Sequence, residues 1–248
     1  MSKQMLLVGE SWMTVTTHQK GFDTFTTVEY TLAADEFKRA MSDSGWSVEH
    51  LPAHEIATGF PTTAEGLAEY DAIVISDVGS NTFLLTPTVF TRSEREPDRL
   101  RLIADYVRGG GGFAMVGGYM SFAGIDGKAR YGHTQLADVL AVAVADHDDR
   151  VELPEGATPT VGSSDPLGLS DLGDWPPLLG YNKTVAFAGA SVVATVNGDP
   201  LICTREVGRG RSVVFTSDLA PHWATPEFVA WAGYREMWAR LFEWVAAS

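Results

Sequence analysis

The chain has 248 residues, 45% of them hydrophobic, and a formal net charge of −14. That length supports a sizeable core in one α/β domain. So acidic a surface repels phosphate backbones and excludes nucleic acid as a partner. The apolar runs are short, far below the roughly 20 residues that cross a bilayer, so no membrane association is expected. The N-terminal MSKQMLLVGESW lacks a full apolar stretch and a small-residue cleavage site, and reads as a first strand instead of a signal peptide. One cysteine, Cys203, excludes an internal disulfide and fits a reducing, cytoplasmic location.

In chain order, Met5 to Gly9 is an apolar run ending at glycine, the pattern of a buried parallel strand. A polar segment, Glu10 to Thr27, follows. Leu32 to Ser44 carries Leu32, Phe37, Ala40 and Met41 near helical spacing and stops at Gly45. Ser47 to Leu51 and Ala72 to Ser76 are further strands. Pro97 to Arg108 is a helix with proline at its start and glycines 109–112 at its end. Phe113 to Val116 is the fourth strand. This alternation predicts a parallel sheet. Beyond Gly117, Val139 to Ala145 is strand-like, and Asp146 to Pro177 reads as loop. Thr184–Phe187, Ser191–Val196, Leu201–Thr204 and Ser212–Thr216 are short and divided by turn residues, which predicts antiparallel hairpins. Pro226 to Ala247 closes the chain as a helix. The absence of repeats and linkers predicts one domain over residues 1–248.

In parallel sheets, ligands sit beyond the carboxyl ends of the strands. The polar clusters Glu10-Ser11-Trp12, Asp77 to Asn81, Tyr119 to Phe122 and Ser217-Asp218 all follow strands. Gly117-Gly118 permits a sharp turn that aims Tyr119 and nearby backbone N–H groups at such a site. Glu10 and Trp12 end a central strand, and a tryptophan face beside carboxylates suits a sugar ring. His18, Lys20 and Asp23 could bind an anionic or polyhydroxy ligand. The alternative is a solvated loop with Phe22 and Phe25 packing beneath it. Asp77, Ser80 and Asn81 could instead cap a turn. His50, His54 and His147 show no metal spacing, and no HExxH or CxxC motif occurs, so no metal is expected. No cofactor motif appears: glycines 109–112 precede their strand and no GK[ST] follows them.

The segments ESW (10–12), THQKGFDTFTT (17–27), MVGGYMSFAG (115–124), TREVGRGRSVVFTSD (204–218) and PHW (221–223) resemble the class I glutamine amidotransferase-like superfamily. More narrowly, they resemble its cytoplasmic branch that carries the glutamine amidotransferase name and is related to ThuA-like proteins. The resemblance implies a flavodoxin-like α/β fold with a parallel sheet and a β-hairpin-rich C-terminal half. Glutaminases of this class use a cysteine in the turn, a histidine, and a glutamate two residues beyond it. Matched to that pattern, Tyr119 stands at the nucleophile, His222 at the histidine and Ala224 at the glutamate. A phenol with a reference pKa near 10 is a poor acyl-transfer nucleophile, so glutaminase activity is expected to be absent.

Three functions remain open. One is a non-glutaminase that binds a small polar metabolite such as a carbohydrate derivative. Its acid–base chemistry would run through the catalytic candidates His222, Tyr119 and Glu10. Trp12, His18, Lys20, Asp23, Asp77, Ser121 and Asp218 would bind the ligand. The second is a catalytically inactive binding or assembly subunit. The third is an amidase with another nucleophile, such as Ser121. A homo-oligomer is expected, because Phe228, Trp231, Trp238, Phe242 and Trp244 do not share one helical stripe.

Overall fold

The computed structural model describes residues 2–246. In chain order its strands are β1 (Lys3–Gly9), β2 (Ser11–Lys20), β3 (Asp23–Leu32), β4 (Trp46–Leu51), β5 (Ala72–Ser76), β6 (Gly112–Val116), β7 (Val142–Ala143), β8 (Arg150–Ala157), β9 (Thr160–Val161), β10 (Leu178–Asn182), β11 (Val185–Ala186), β12 (Ser191–Val196), β13 (Asp199–Val207) and β14 (Gly210–Phe215). Eight of them form one sheet in the order β4-β1-β5-β6-β14-β13-β12-β9. The first five are parallel, and the last three continue the sheet antiparallel. This is the flavodoxin-like α/β architecture.

Side chains on a strand alternate between faces, and both faces of this sheet are covered. Met5, Leu7, Ala72, Val74, Ala114 and Val116 enter one core with Phe37, Met41, Trp238 and Phe242. Those last four come from the helices Asp35–Asp43 and Ala232–Val245. Leu6, Val8, Ile73, Ile75, Phe113 and Met115 enter the other core with Leu100, Ile103 and Val107 of the helix Arg99–Arg108. Two-sided burial explains why the parallel strands read as continuous apolar runs.

Several expected elements change on folding. The polar segment after β1 is not a loop. It is the antiparallel hairpin β2–β3, paired from Ser11↔Leu32 to Lys20↔Asp23. Leu32 therefore ends a strand, and its helix begins at Asp35. Residues 146–177 contain β8, which pairs with β10. Pro154 inside β8 hid the alternation of Val151 and Leu153. The run 139–145 keeps only Val142–Ala143 as strand, paired with β11. The final helix breaks at Trp231, whose ψ of 135° is extended, into Pro226–Ala230 and Ala232–Val245. Ala247, included in the expected helix, lies outside the described residues.

The aromatic residues of this C-terminal region turn inward, which removes the original argument for an interface there. Phe228, Trp238 and Phe242 are buried, and Trp231 and Trp244 pack partly against the same core. Trp238 meets Phe37 and Phe215 edge-on at ring distances of 5.1 and 5.2 Å. Trp238→Ala should therefore cost roughly 3–5 kcal/mol in urea denaturation; a loss below about 1 kcal/mol would show that this ring does not anchor the core.

Candidate functional site

Glu10, Asp77, Gly117 and Thr216 each follow the last residue of β1, β5, β6 or β14. Those strands are sheet neighbours in that order, so their carboxyl ends meet at one edge. The meeting is tight. A Cβ on Gly9 would lie 2.1 Å from the Ser76 carbonyl oxygen, and one on Gly117 would lie 2.2 Å from that of Thr216. Glu10 and Asp77 hold left-handed backbones, with φ of 49° and 42°. Non-glycine residues rarely adopt such values, and strained backbones concentrate at functional sites.

Three carboxyl groups collect here. Glu10 is completely buried, and its Oε2 accepts a 2.6 Å hydrogen bond from the Ser76 hydroxyl. Its Oε1 has no partner, and neither has Oδ2 of the buried Asp218 by hydrogen-bond distance. Burial, followed by the charges of Asp218 and Asp77, holds the Glu10 carboxyl well above its ordinary value. Asp77 is pushed up to about 6, again chiefly by burial and then by Asp218. Burial raises Asp218 as well, against the opposing pull of His222.

His222 faces this cluster from the outside. Its Nδ1 lies 3.6 Å from Asp218 Oδ2, an ion-pair distance that is long for a hydrogen bond. Asp218 raises the imidazole pKa, and partial burial opposes it. The His222 side chain stays 44% exposed. Its ring lies 4.9 Å from Trp12 and stacks 6.0 Å from Tyr119. The amidotransferase pattern orients its histidine with a glutamate two residues later. Ala224 there is buried and bridged through its backbone to Leu178. The carboxylate beside the histidine comes instead from Asp218, four residues earlier.

Tyr119 does not plug a buried pocket; it is 36% exposed. Arg150 lies 5.0 Å over its ring, and Trp223 packs 5.5 Å away. Burial and Glu152 raise the phenol's pKa, which further weakens it as a nucleophile. The turn that carries it is braced from below. Gly118 donates its N–H to Asn182 Oδ1, and Asn182 Nδ2 donates to Asp149 Oδ1. Asp149 also accepts the Ala123 and Gly124 amides, both at 2.9 Å. The Met120 amide donates to Asp77 Oδ1 at 2.6 Å. No α-helix follows this turn before Pro226, and Asn81–Leu84 after β5 has one turn only. No long helix begins directly after β5 or β6, so these two turns bring no helix dipole to the site.

The structure thus brings Glu10, Trp12, Asp77, Tyr119, Asp218 and His222 to one edge, in two layers. Glu10 and Asp218 lie beneath the surface, and Trp12, Tyr119 and His222 lie on it. Ser121 is fully buried, and its hydroxyl accepts the Asp77 amide, which occupies it structurally. His18, Lys20 and Asp23 are not brought in. They sit near the hairpin tip, where His18 stacks on Phe25 and Lys20 pairs with Asp23 across the strands. Phe22 there is fully exposed and does not pack beneath anything. Cys203 is buried on β13, where burial pushes its thiol up to about 12. Among the described residues, no group of three or more His, Cys, Asp or Glu is arranged to hold a metal. Tyr119 and His222 line none of five surface cavities of about 300 to 580 Å³, although one of about 470 Å³ borders the site at Gly79 and Met120.

Sequence reasoning missed Asp149, Arg150, Glu152 and Asn182. All four lie on or beside β8 and β10. Reading residues 146–177 as loop concealed the ordered placement of the first three, and without β8 the partner strand that positions Asn182 went unseen.

An open parallel sheet with a Gly-Gly turn after its fourth parallel strand along the chain, and with a late strand leading to a histidine, defines the class I glutamine amidotransferase-like fold. A family model described as "Putative glutamine amidotransferase" matches residues 4–247, and the chain belongs to that family. It is 45% identical to the cytoplasmic protein STM1381 from Salmonella typhimurium LT2, with a TM-score of 0.94 over 98% of this chain and 99% of that one. It is 41% identical to the cytoplasmic protein STM3548 from Salmonella typhimurium, with a TM-score of 0.92 over 97% and 98% of the two chains. A ThuA-like protein from Parabacteroides merdae shares the fold at 11% identity, with a TM-score of 0.57 over 99% of this chain and 90% of that one. No curated protein matches the chain.

The raised Asp77 pKa has a measurable consequence. The folded protein binds this proton more tightly than the unfolded chain, so the Asp77 contribution falls as pH rises from about 4 to about 6. Asp77→Asn keeps the Oδ1 acceptor and removes that titration. Its stability relative to wild type should rise by roughly 2–3 kcal/mol between pH 4 and pH 7. A difference that stays constant across this range would contradict the buried position of the carboxyl.

Proposed function

We propose that this protein is a non-glutaminase member of its family that binds a small polar metabolite, of carbohydrate-derivative type. It would use Asp218–His222 as an acid–base pair. The observation that carries this reading is the His222 ring, paired on one side with a buried carboxylate and set between Trp12 and Tyr119. A carboxylate beside one ring nitrogen orients an imidazole for proton transfer at the other. Asp218 raises the His222 pKa above its ordinary value, which strengthens the imidazole as a proton acceptor. Aromatic faces beside it offer apolar contact to a sugar ring, and Arg150 adds a cation at the same surface. Glu10 acts through Asp218, as the deeper carboxyl whose pKa burial and the charges of Asp218 and Asp77 push up. The cytoplasmic relatives, and the lone reduced cysteine, support a cytoplasmic location.

A second reading, a non-catalytic assembly subunit, is favoured by the exposed hairpin β2–β3. The two readings separate at His222. In histidine-labelled protein followed by NMR, the His222 pKa should lie above 6.5 and fall when Asp218→Asn removes the charge that raises it. Millimolar neutral monosaccharides or sugar acids should shift the His222 and Trp12 resonances. A panel of both kinds that moves neither would discard the metabolite reading. No ammonia release from glutamine is expected, because Tyr119 and Ala224 replace the cysteine and glutamate. Release that disappears in Tyr119→Phe would reverse that conclusion.

A further inference from the structure

The hairpin β2–β3 leaves the body of the protein unpartnered. Only its root is tied to the body: the Ala53 amide donates to Ser11 Oγ at 2.7 Å, and the Tyr30 hydroxyl lies 2.5 Å from His54 Nδ1 with the two rings edge-on at 4.5 Å; within the hairpin, Tyr30 donates its hydroxyl to Ser11 Oγ at 2.9 Å. Directly opposed residues share a face of the pair, and the pairing runs Ser11↔Leu32, Met13↔Tyr30 and Val15↔Val28. One face is therefore apolar in a row, with Met13, Val15, Val28, Tyr30 and Leu32 at 39–62% exposure. The other face carries Thr14, Thr16, Thr27, Glu29 and Thr31, with Trp12 at its root and His18 stacked on Phe25 towards its tip. A lone two-stranded hairpin is marginally stable in water, and its outer backbone groups are open to pairing. The composition points to a covered arm.

We infer that this arm is a dimerisation element, exchanged reciprocally between two copies of the chain with its apolar face laid on the partner's body. Charge favours a second copy at this place. Each chain carries −14, yet residues 11–32 hold only Lys20 against Asp23 and Glu29. Two strongly acidic molecules approach with least repulsion through such a near-neutral segment. Area selects exchange over simple face-to-face contact. Ten residues at about 3.4 Å each, two strands wide, give a face of roughly 340 Å². Face-to-face packing of two arms buries about 700 Å² in total, whereas two arms each laid on a partner bury about 1,400 Å², within the range of stable dimers. A two-fold arrangement closes with no free arm left over. The arm's root carries Trp12, which packs on His222, so assembly also fixes one wall of the candidate site. The dimer itself does not depend on the metabolite reading.

Sedimentation of the full chain at 10 µM should give twice the 26.8 kDa of one chain. Val15→Lys with Val28→Glu places opposite charges across from each other, so the hairpin stays paired while its apolar face is lost. This variant should weaken the dimer by about 100-fold or more. The matched change on the other face, Thr16→Lys with Thr27→Glu, should leave it dimeric. A wild-type monomer, a Val15/Val28 variant that remains fully dimeric, or equal loss in both variants overturns the proposal. Hydrogen exchange reads the geometry. Exchange of arms protects a segment of the body together with residues 11–32, and protection confined to 11–32 overturns it.

Discussion

The constraint on which the edge of the sheet depends is the withdrawal of Glu10, Asp77 and Asp218 from water. Three carboxyls in one low-dielectric pocket cannot all ionise without strong mutual repulsion. Each is raised in pKa chiefly by burial. The surroundings meet this cost only in part. Ser76 satisfies one oxygen of Glu10, the Met120 amide satisfies one of Asp77, and His222 places a proton-binding ring against Asp218. The position of His222 is tied to that compensation, and Trp12 and Tyr119 pack against its ring.

The same edge keeps the Gly-Gly turn of the family while other residues stand at the cysteine and glutamate positions of the glutaminase pattern. Gly117 and Gly118 allow the close approach, and the Asp149–Asn182 clamp fixes the backbone from Gly118 to Gly124. The turn presents Tyr119, whose phenol is harder to ionise than a free one. His222 remains, and a carboxylate still accompanies it, but that carboxylate now comes from the strand side of the loop. What the edge holds is an imidazole beside a carboxylate, with no cysteine at the turn.

The hairpin between β1 and the first helix stands apart from both cores. Its strands do not join the eight-stranded sheet, and within a single chain its apolar face is exposed. Its root nevertheless belongs to the edge, since Trp12 immediately follows the buried Glu10-Ser11 pair. Any force on the arm is delivered one side chain away from His222.

The sequence by itself determined the parallel sheet, because strands buried on both faces must be continuously apolar, as in Met5–Gly9 and Ala72–Ser76. The resemblance to the amidotransferase pattern, carried by the Gly117-Gly118 turn, also set Tyr119 where a glutaminase has its cysteine. The sequence placed Glu10, Asp77, Tyr119 and His222 after strands, and parallel strands point those positions the same way. It could not place the β8–β10 clamp, whose strands are short, polar and interrupted by Pro154. Nor could it separate a polar loop from an exposed hairpin at residues 10–27, where threonine-rich alternation has no core to face. The depth of Glu10 and Ser121, and the pairing of His222 with Asp218, were decided only by tertiary structure. Burial and charge proximity depend on which strands become neighbours, and the order β1-β5-β6-β14 joins residues more than 200 positions apart.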